Sequence, residues 1–249
     1  MKIIKLKNFN KNDFFEEFSN WLQKDLNQVN KIILEILETD SSLITELSNY
    51  IIGAGGKRIR PLLTLASARL CQYSGNRHLN LASAIEFIHT ATLLHDDVVD
   101  GSKKRRGKKT ANFIWGNKSS ILVGDFLLSK AFKILINDGS LKCIDIISNV
   151  SEKISFGEVK QLMSEGNLNM SESDYLEIIG YKTAELFSAA CQLSAEISEI
   201  EEIKKNSLKD FGYFLGISYQ IIDDTLDYFS EEKISGKEVG NDFKENKMT

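Results

Sequence analysis

The sequence predicts an all-α protein. The chain has one proline in 249 residues, its apolar residues recur at helical spacing, and alternating β-branched runs are few. With 42% hydrophobic residues it can bury a full core as one large domain or two small ones. The net charge of −4 argues against a general nucleic-acid binder, so any basic function is local. Cys71, Cys143 and Cys191 are odd in number and form no Cys-x-x-Cys pair, which points to neither a disulfide framework nor a zinc site. They fit buried thiols in a reducing cytosol. The amino terminus lacks the apolar run of a signal peptide, and no stretch reads as a transmembrane span. A cytoplasmic location is expected.

From Phe14 to Leu37, apolar residues at Phe18, Trp21, Leu22, Leu26, Val29, Ile33 and Ile36 predict an amphipathic helix. A second, about Ser42 to Ile52, breaks at Gly53, Gly55 and Gly56. The turn that follows delivers Lys57, Arg58 and Arg60 just before Pro61, which can occupy a first helical turn. Cations beside a helix amino terminus make an anion site, though such a run is also ordinary solvated turn. Helix Pro61 to Cys71 and a turn at Gly75-Asn76 lead into a long apolar helix through His89. The run Lys103 to Lys109 has six cations in seven positions and, taken alone, is a plain solvated loop. A strongly apolar helix from Asn117 to Ile136 is interrupted at Gly124-Asp125, and Asp138-Gly139 turns the chain into a helix ending near Gly166. Ser171 to Asp174 has capping-box spacing for a helix from Tyr175 to about Ile197. That helix carries Lys182-Thr183, an ambiguous pair because lysines snorkel to solvent. The stretch Glu199 to Lys209 reads as charged connection, Phe211 to Phe229 as helix, and Ser230 to Lys237 as polar loop. No fixed-period repeat is present.

The chemistry is concentrated in His95-Asp96-Asp97-Val98-Val99-Asp100. If the helix continues, Asp96 and Asp100 share a face roughly 6 Å apart along the axis, with Asp97 turned to the side. Like charges at that spacing repel. Hard oxygen ligands pointing into a cavity suit Mg²⁺ shared with substrate phosphates. One Asp-Asp-x-x-Asp is usually solvated surface. Here it returns as Asp223-Asp224-Thr225-Leu226-Asp227, again behind apolar residues, and two such clusters can grip one polyphosphate between them. His89 on an apolar face reads by itself as a satisfied core histidine.

Taken together, Gly55-Gly56-Lys57-Arg58-Ile59-Arg60-Pro61, Glu86 to Asp100, Arg105-Arg106-Gly107, Gly157 to Leu162, Lys182-Thr183 and Gln220 to Asp227 resemble the trans-isoprenyl diphosphate synthases (polyprenyl synthetases). The likeness runs from about Ile51 to Thr249 and is nearest the long-chain bacterial, octaprenyl diphosphate synthase-like type that makes quinone side-chain (ubiquinone) precursors. The resemblance implies an isoprenoid-synthase-type helical bundle around a central cavity, with residues 1–249 one domain. Carried over, Asp96, Asp97, Asp100, Asp223, Asp224 and Asp227 would hold Mg²⁺ on an allylic diphosphate. Lys57, Arg60, His89 and Arg106 would bind isopentenyl diphosphate. Arg105, Lys182, Thr183, Gln220 and Lys237 would contact the allylic substrate, Lys182 counting among the catalytic residues. In the family the released diphosphate is thought to take the proton, which explains why no conventional base is needed. Ala91, five residues before Asp96, is small where short-chain members often place an aromatic plug, so a long product is expected.

The sequence also departs from the family. Lys109 replaces a usual proline, and Gly240 to Thr249 follows the family line with Asn246 for glycine and then ends. A chain lacking the family's C-terminal helices is therefore expected, either a homodimer or one needing a complementing chain. A non-catalytic remnant or subunit is the alternative. A metal phosphohydrolase using His95-Asp96 would want more histidines than His78, His89 and His95.

Overall fold

The computed structural model describes residues 11–229, with side chains from 14 to 227, and it is almost entirely helical. The helices are α1 (Lys11–Leu37), α2 (Ser42–Gly53), α3 (Ile59–Leu70), α4 (Arg77–Val99), α5 (Ala111–Trp115), α6 (Asn117–Asp138), α7 (Leu141–Ser164), α8 (Glu172–Ile179), α9 (Glu185–Ile197) and α10 (Glu202–Phe229). A π-helical turn, Gly180–Ala184, joins α8 to α9. The sequence-predicted site residue Lys237 and the segment Gly240 to Thr249 lie outside the described residues.

Helix α4 is the centre of the bundle. Leu81, Ala82, Ala84, Ile85, Phe87, Ile88, Ala91 and Leu94 are buried around its circumference, because α1, α3, α6 and α9 pack on it from different sides. A helix apolar all round is stable only when enclosed in this way. Each fully buried Leu, Ile or Phe contributes on the order of 1.5–3 kcal/mol. Helix α1 adds the stripe Leu22, Val29, Ile33 and Leu37, at the spacing read from the sequence.

Four local readings are corrected. Helix α6 runs unbroken through Gly124, whose missing side chain admits the His95 ring: a Cβ there would lie 2.3 Å from His95 Nε2. The charged stretch after Glu199 is helical from Glu202 onward. Its charges face solvent or pair, Lys205 Nζ lying 2.7 Å from Glu196 Oε2, while Leu208 packs on the core cluster and Gly212 is buried. The helix drawn from Tyr175 to Ile197 contains the π turn. The basic run after Asp100 is an antiparallel hairpin, β1 (Lys104–Arg105) and β2 (Lys108–Lys109), with Lys104 opposite Lys109 and Arg105 opposite Lys108. Its two-residue turn has φ of 52° at Arg106 and 74° at Gly107, the positive pair that matches the twist of tight hairpins.

Close helix approach at α9 and α10 is bought with glycine. A Cβ on Gly212 would lie 2.6 Å from the Phe187 carbonyl oxygen, and one on Gly216 2.5 Å from Ala184 Cα. The middle turns of α10 therefore press against α9 and the π turn, which brings Gln220 to Thr183. Among the described residues no helix is long and apolar enough to cross a membrane.

Candidate active site

A cleft of about 660 Å³ opens where α4 and α10 end and α3 begins. Asp96 and Asp100 line one wall, and Asp223, Asp224 and Asp227 line another. Lys57, Arg60, His89, Arg105, Arg106, Lys182, Thr183 and Gln220 line the same cleft. Of the sequence-predicted residues within the described part, only Asp97 is absent from this lining.

Asp97 is 0% exposed. Its Oδ1 accepts from Arg105 Nε at 2.9 Å and lies 2.9 Å from Arg105 Nη2, while Oδ2 is buried without a donor. Burial raises its pKa, opposed by the Arg105 charge. Its backbone carbonyl accepts from the Ser102 amide at 3.0 Å and from Asn112 Nδ2 at 2.8 Å, so the last turn of α4 fastens the base of the hairpin. Tyr50 adds a 2.7 Å bond from its hydroxyl to the Lys109 carbonyl. The tip reaches across to the glycine turn, where Arg106 donates to the Gly55 carbonyl. Gly55 has φ of 85°, and a Cβ on Gly56 would lie 2.6 Å from Arg106 Nη1. Both glycines are thereby explained, one by conformation and one by contact.

The turn Gly55 to Arg58 enters α3 through Arg58 at φ 49°. Its guanidinium pairs with the buried carboxylate of Glu86 and donates to the Ile52 carbonyl at 2.8 Å. Arg60 Nη1 stands 3.1 Å from His89 Nε2. A guanidinium only donates, so Nε2 is the acceptor and the ring is neutral. Burial holds the His89 pKa well below its ordinary value, and Arg60, Arg106, Arg105 and Arg58 push it the same way. Burial also lowers Arg60 to about 10, with Glu86 opposing. A cationic pocket with one neutral histidine is a site for a polyanion.

On the far wall, the π turn carries Lys182 and Thr183. Lys182 Nζ donates to Glu158 Oε2 at 2.8 Å and to Gln161 Oε1 at 2.7 Å. Thr183 Oγ1 donates to Gln220 Oε1 at 2.7 Å. The chain of bonds continues from Gln220 Nε2 to Asp224 Oδ1 at 2.7 Å, and Tyr175 donates to Asp224 Oδ2 at 2.6 Å. Burial raises the Glu158 pKa, and Asp96 raises it further. Gly157 lets α7 approach: a Cβ there would lie 2.8 Å from Tyr181 Cβ and 3.0 Å from the Lys182 amide nitrogen. Single-turn π segments are frequent at functional sites.

Among the described residues no three carboxylates or histidines converge into a ready-made metal cage. The donor set still fits Mg²⁺, which is held by one or two carboxylates plus waters and substrate phosphates. Asp96, Asp100, Asp223 and Asp227 offer such oxygens from two helices to one cleft. His95 does not belong to the site, since its Nε2 lies 3.2 Å from the Ile121 carbonyl and 3.4 Å from Asp125 Oδ1. Ala91 is buried in the core cluster, and Thr92 and Leu93 form the cleft wall at that depth. Sequence reasoning gave no role to Glu86, Glu158, Gln161, Tyr175 or Tyr219. Glu86, Glu158 and Gln161 fell inside family-like stretches, which was the only signal for them.

An acidic rim beside a cationic floor has the donor chemistry for a phosphorylated substrate and a divalent metal. Comparison with known proteins narrows that class. Residues 41–249 match the polyprenyl synthetase family. Octaprenyl diphosphate synthase of Escherichia coli (strain K12) is 45% identical over 234 residues, spanning 94% of this chain and 72% of that protein. Among solved structures, the polyprenyl synthase from Caulobacter crescentus CB15 complexed with calcium and isoprenyl diphosphate has a TM-score of 0.92 at 45% identity, covering 94% of this chain and 72% of that one. A decaprenyl diphosphate synthase from Rhodobacter capsulatus has a TM-score of 0.90 at 46% identity, with 94% and 73% covered. The chain belongs to the polyprenyl synthetase family.

Proposed function

We propose that the cleft joins isopentenyl diphosphate to an allylic prenyl diphosphate, with the acidic rim holding the allylic diphosphate and the cationic floor holding isopentenyl diphosphate. As a polyprenyl synthetase the chain is an enzyme, a chain-elongating prenyltransferase. The observation that carries the reading is the meeting of Asp96 and Asp100 with Asp223, Asp224 and Asp227, and of both cation sets, in one cleft.

Asp96, Asp100, Asp223 and Asp227 are the residues that would hold Mg²⁺. When bound there, Mg²⁺ supplies positive charge to the diphosphate leaving group as the allylic C–O bond breaks. Arg105 and Lys182 donate to the oxygens on which negative charge accumulates. Lys182 is already aimed by Glu158 and Gln161, so little reorientation is required of it. Thr183 and Gln220 orient each other on the same side. Lys57, Arg60 and Arg106 bind the second diphosphate, and neutral His89 sets the direction of the Arg60 fork. The double bond of isopentenyl diphosphate then attacks the allylic carbon, forming the new C–C bond. Its proton leaves to the released diphosphate, since the one histidine of the cleft is committed to Arg60. The apolar wall of Leu93, Ile178, Ile179 and Phe187 excludes water that would capture the cation.

Product length and quinone use follow the long-chain relatives: a long polyprenyl chain is proposed, made by a homodimer in the cytoplasm. Incubation with farnesyl diphosphate, radiolabelled isopentenyl diphosphate and Mg²⁺, followed by chromatography, is expected to give products of seven or more isoprene units, on the order of the relatives' names, and no product when Mg²⁺ is chelated. Absence of any extended product in the intact chain overturns the reading in favour of a non-catalytic subunit, which no contact in the cleft favours. The phosphohydrolase reading is set aside because His95 lies outside the cleft.

A further inference from the structure

We propose that Phe15 of α1 is a positioning residue that steadies the Lys57 ammonium at the cleft, so that a helix outside the site sets how well the site holds isopentenyl diphosphate. The inference deepens the proposed function and rests on its assignment of Lys57 to that substrate.

Lys57 differs from the other candidate cations in what holds it. Arg105 is fastened by Asp97, Arg106 by the Gly55 carbonyl, Arg60 by His89 and Phe187, and Lys182 by Glu158 and Gln161. Lys57 is exposed and follows two glycines with φ of 85° and 153°. Among the described residues its ammonium has no hydrogen bond or ion pair. It stands instead over the Phe15 ring, 5.8 Å from the centre, within reach of the attraction between a cation and a π face. A flexible four-carbon stem loses rotamer freedom when it grips a phosphate. Contact with a fixed ring removes part of that loss in advance.

The packing of α1 fixes the ring. Phe15 and Phe18 are half-buried against the core cluster, and Phe18 leans on Trp21 with ring centres 6.2 Å apart. Further along α1, Asp25 Oδ2 accepts from Arg69 Nε at 3.1 Å and from Nη2 at 2.9 Å. Arg69 Nη1 donates to the Trp21 carbonyl at 2.7 Å, and its guanidinium lies 5.2 Å from the centre of the Trp21 ring. Phe15 and Asp25 are about 15 Å apart along α1, as are Ile59 and Arg69 along α3. The two helices therefore run side by side in the same direction. Pinned to the end of α3 by Arg69, α1 delivers Phe15 to the turn from which α3 starts. Helix α1 precedes residues 41–249, which match the family, so the contact lies outside the matched part of the chain.

The test compares the full chain with Phe15→Leu, Phe15→Trp, Lys57→Met and the two double variants, by steady-state kinetics and by calorimetric titration with inorganic diphosphate. Phe15→Leu keeps an apolar side chain and removes the π face. It is expected to raise KM for isopentenyl diphosphate, and to weaken diphosphate, about two- to fivefold, with kcat and the allylic KM unchanged. Phe15→Trp retains a π face and is expected to hold both constants for the cation turn at or below the parent's. A double-mutant cycle separates positioning from general loosening. Added to Lys57→Met, either change at Phe15 is expected to have no further effect on diphosphate. Parent-like KM in Phe15→Leu, an equal rise in both substrates' KM, or full additivity with Lys57→Met overturns the inference. If Phe15→Leu has no cooperative thermal transition, Phe15→Trp decides by the same cycle. A parent that binds diphosphate but makes no extended product removes the proposed function and leaves the binding series to decide this inference; a parent that binds no diphosphate overturns both.

Discussion

The guanidinium of Arg60 lies 4.5 Å above the centre of the Phe187 ring, while its Nη1 stands 3.1 Å from His89 Nε2. The arginine is held on two sides by uncharged partners, and its Nε is buried without one. Phe187 is itself fully buried and leans on Tyr219, ring centres 5.4 Å apart. A desolvated cation over an aromatic face gains about 2 kcal/mol. The ring therefore stabilises a charge that burial disfavours, and it keeps the fork open toward an incoming diphosphate.

Replacing that ring tests the arrangement. Phe187→Leu keeps the site apolar and removes the π face, so KM for isopentenyl diphosphate is expected to rise about tenfold or more, the equivalent of ~1.5–2 kcal/mol. KM for the allylic substrate is expected to stay within about twofold, because the hydrogen bonds that hold Arg105, Lys182 and Gln220 run to Asp97, Glu158, Gln161, Thr183 and Asp224 rather than through Phe187. Steady-state kinetics with each substrate varied in turn measures both. An equal rise in the two constants sinks the account.

His89 yields a prediction about pH. Its pKa in the folded protein lies well below the ordinary 6.5, chiefly through burial and then through Arg60. The unfolded chain binds that proton near pH 6.5 and the folded one does not, so stability falls as pH drops through this window. The contribution is fully present above about pH 7. His78 is shifted in the same direction, also chiefly by burial, so the parent's own melting curve cannot isolate one ring. His89→Gln keeps an acceptor for Arg60 and removes the titration. Between pH 7.5 and 5.5 its thermal midpoint is expected to fall less than the parent's, by up to about 1.4 kcal/mol per pH unit in free energy. Identical pH slopes in parent and variant would show that His89 is not held neutral.

Lys182 is expected to matter through placement as much as through charge. Two acceptors at 2.7 and 2.8 Å aim its ammonium from the π turn. Lys182→Met removes a charge-assisted donor of about 1.5–3 kcal/mol, so kcat/KM for the allylic diphosphate is expected to drop roughly 10- to 100-fold. Arg at this position carries the charge in a longer, planar group that the Glu158–Gln161 pair does not fit, and it is expected to restore less than a tenth of the activity. Full activity in Lys182→Arg would reduce the role to net charge.

Much of this was legible in the sequence, and the remainder has identifiable physical causes. Helical period alone located α1 and α4 and turned Asp97 away from Asp96 and Asp100, but it did not show what Asp97 turns toward. That depends on a hairpin whose six cations look like solvated loop until Asp97 and Gly55 are placed beside them. The start of α10 was missed because Glu202 and Lys205 face outward or pair with Glu196, and solvated charge is as compatible with helix as with coil. The π turn leaves no periodic signal of its own, since it adds a single residue between two stretches that each keep ordinary helical spacing. Glu86 and Tyr175 are tied into the site by partners distant in sequence, Arg58 and Asp224. Pattern reading within one helix does not reach them.

Gly216 connects packing to the site and gives the sharpest stability test. A methyl group there would sit 2.5 Å from Ala184 Cα and 3.0 Å from Ala184 Cβ. The first of these is backbone and cannot rotate away, so the two helices must separate. Overpacking of this kind costs about 1–3 kcal/mol, opposed by the better helix propensity of alanine, worth roughly 1 kcal/mol. Backbone contact decides the sign, and Gly216→Ala is expected to lower the thermal midpoint by several degrees, on the order of 3–8 °C. The displacement also acts one turn further along α10, where Gln220 meets Thr183, the neighbour of Ala184. KM for the allylic substrate is therefore expected to rise, and because the added methyl would also lie 3.1 Å from Phe187 Cβ, KM for isopentenyl diphosphate is expected to rise with it. Gly53→Ala, at a position where an added Cβ meets nothing within 4 Å, serves as the control and is expected to leave both constants unchanged. A Gly216→Ala protein as stable as the parent, with both constants intact, would mean that α9 and α10 do not meet as closely as described.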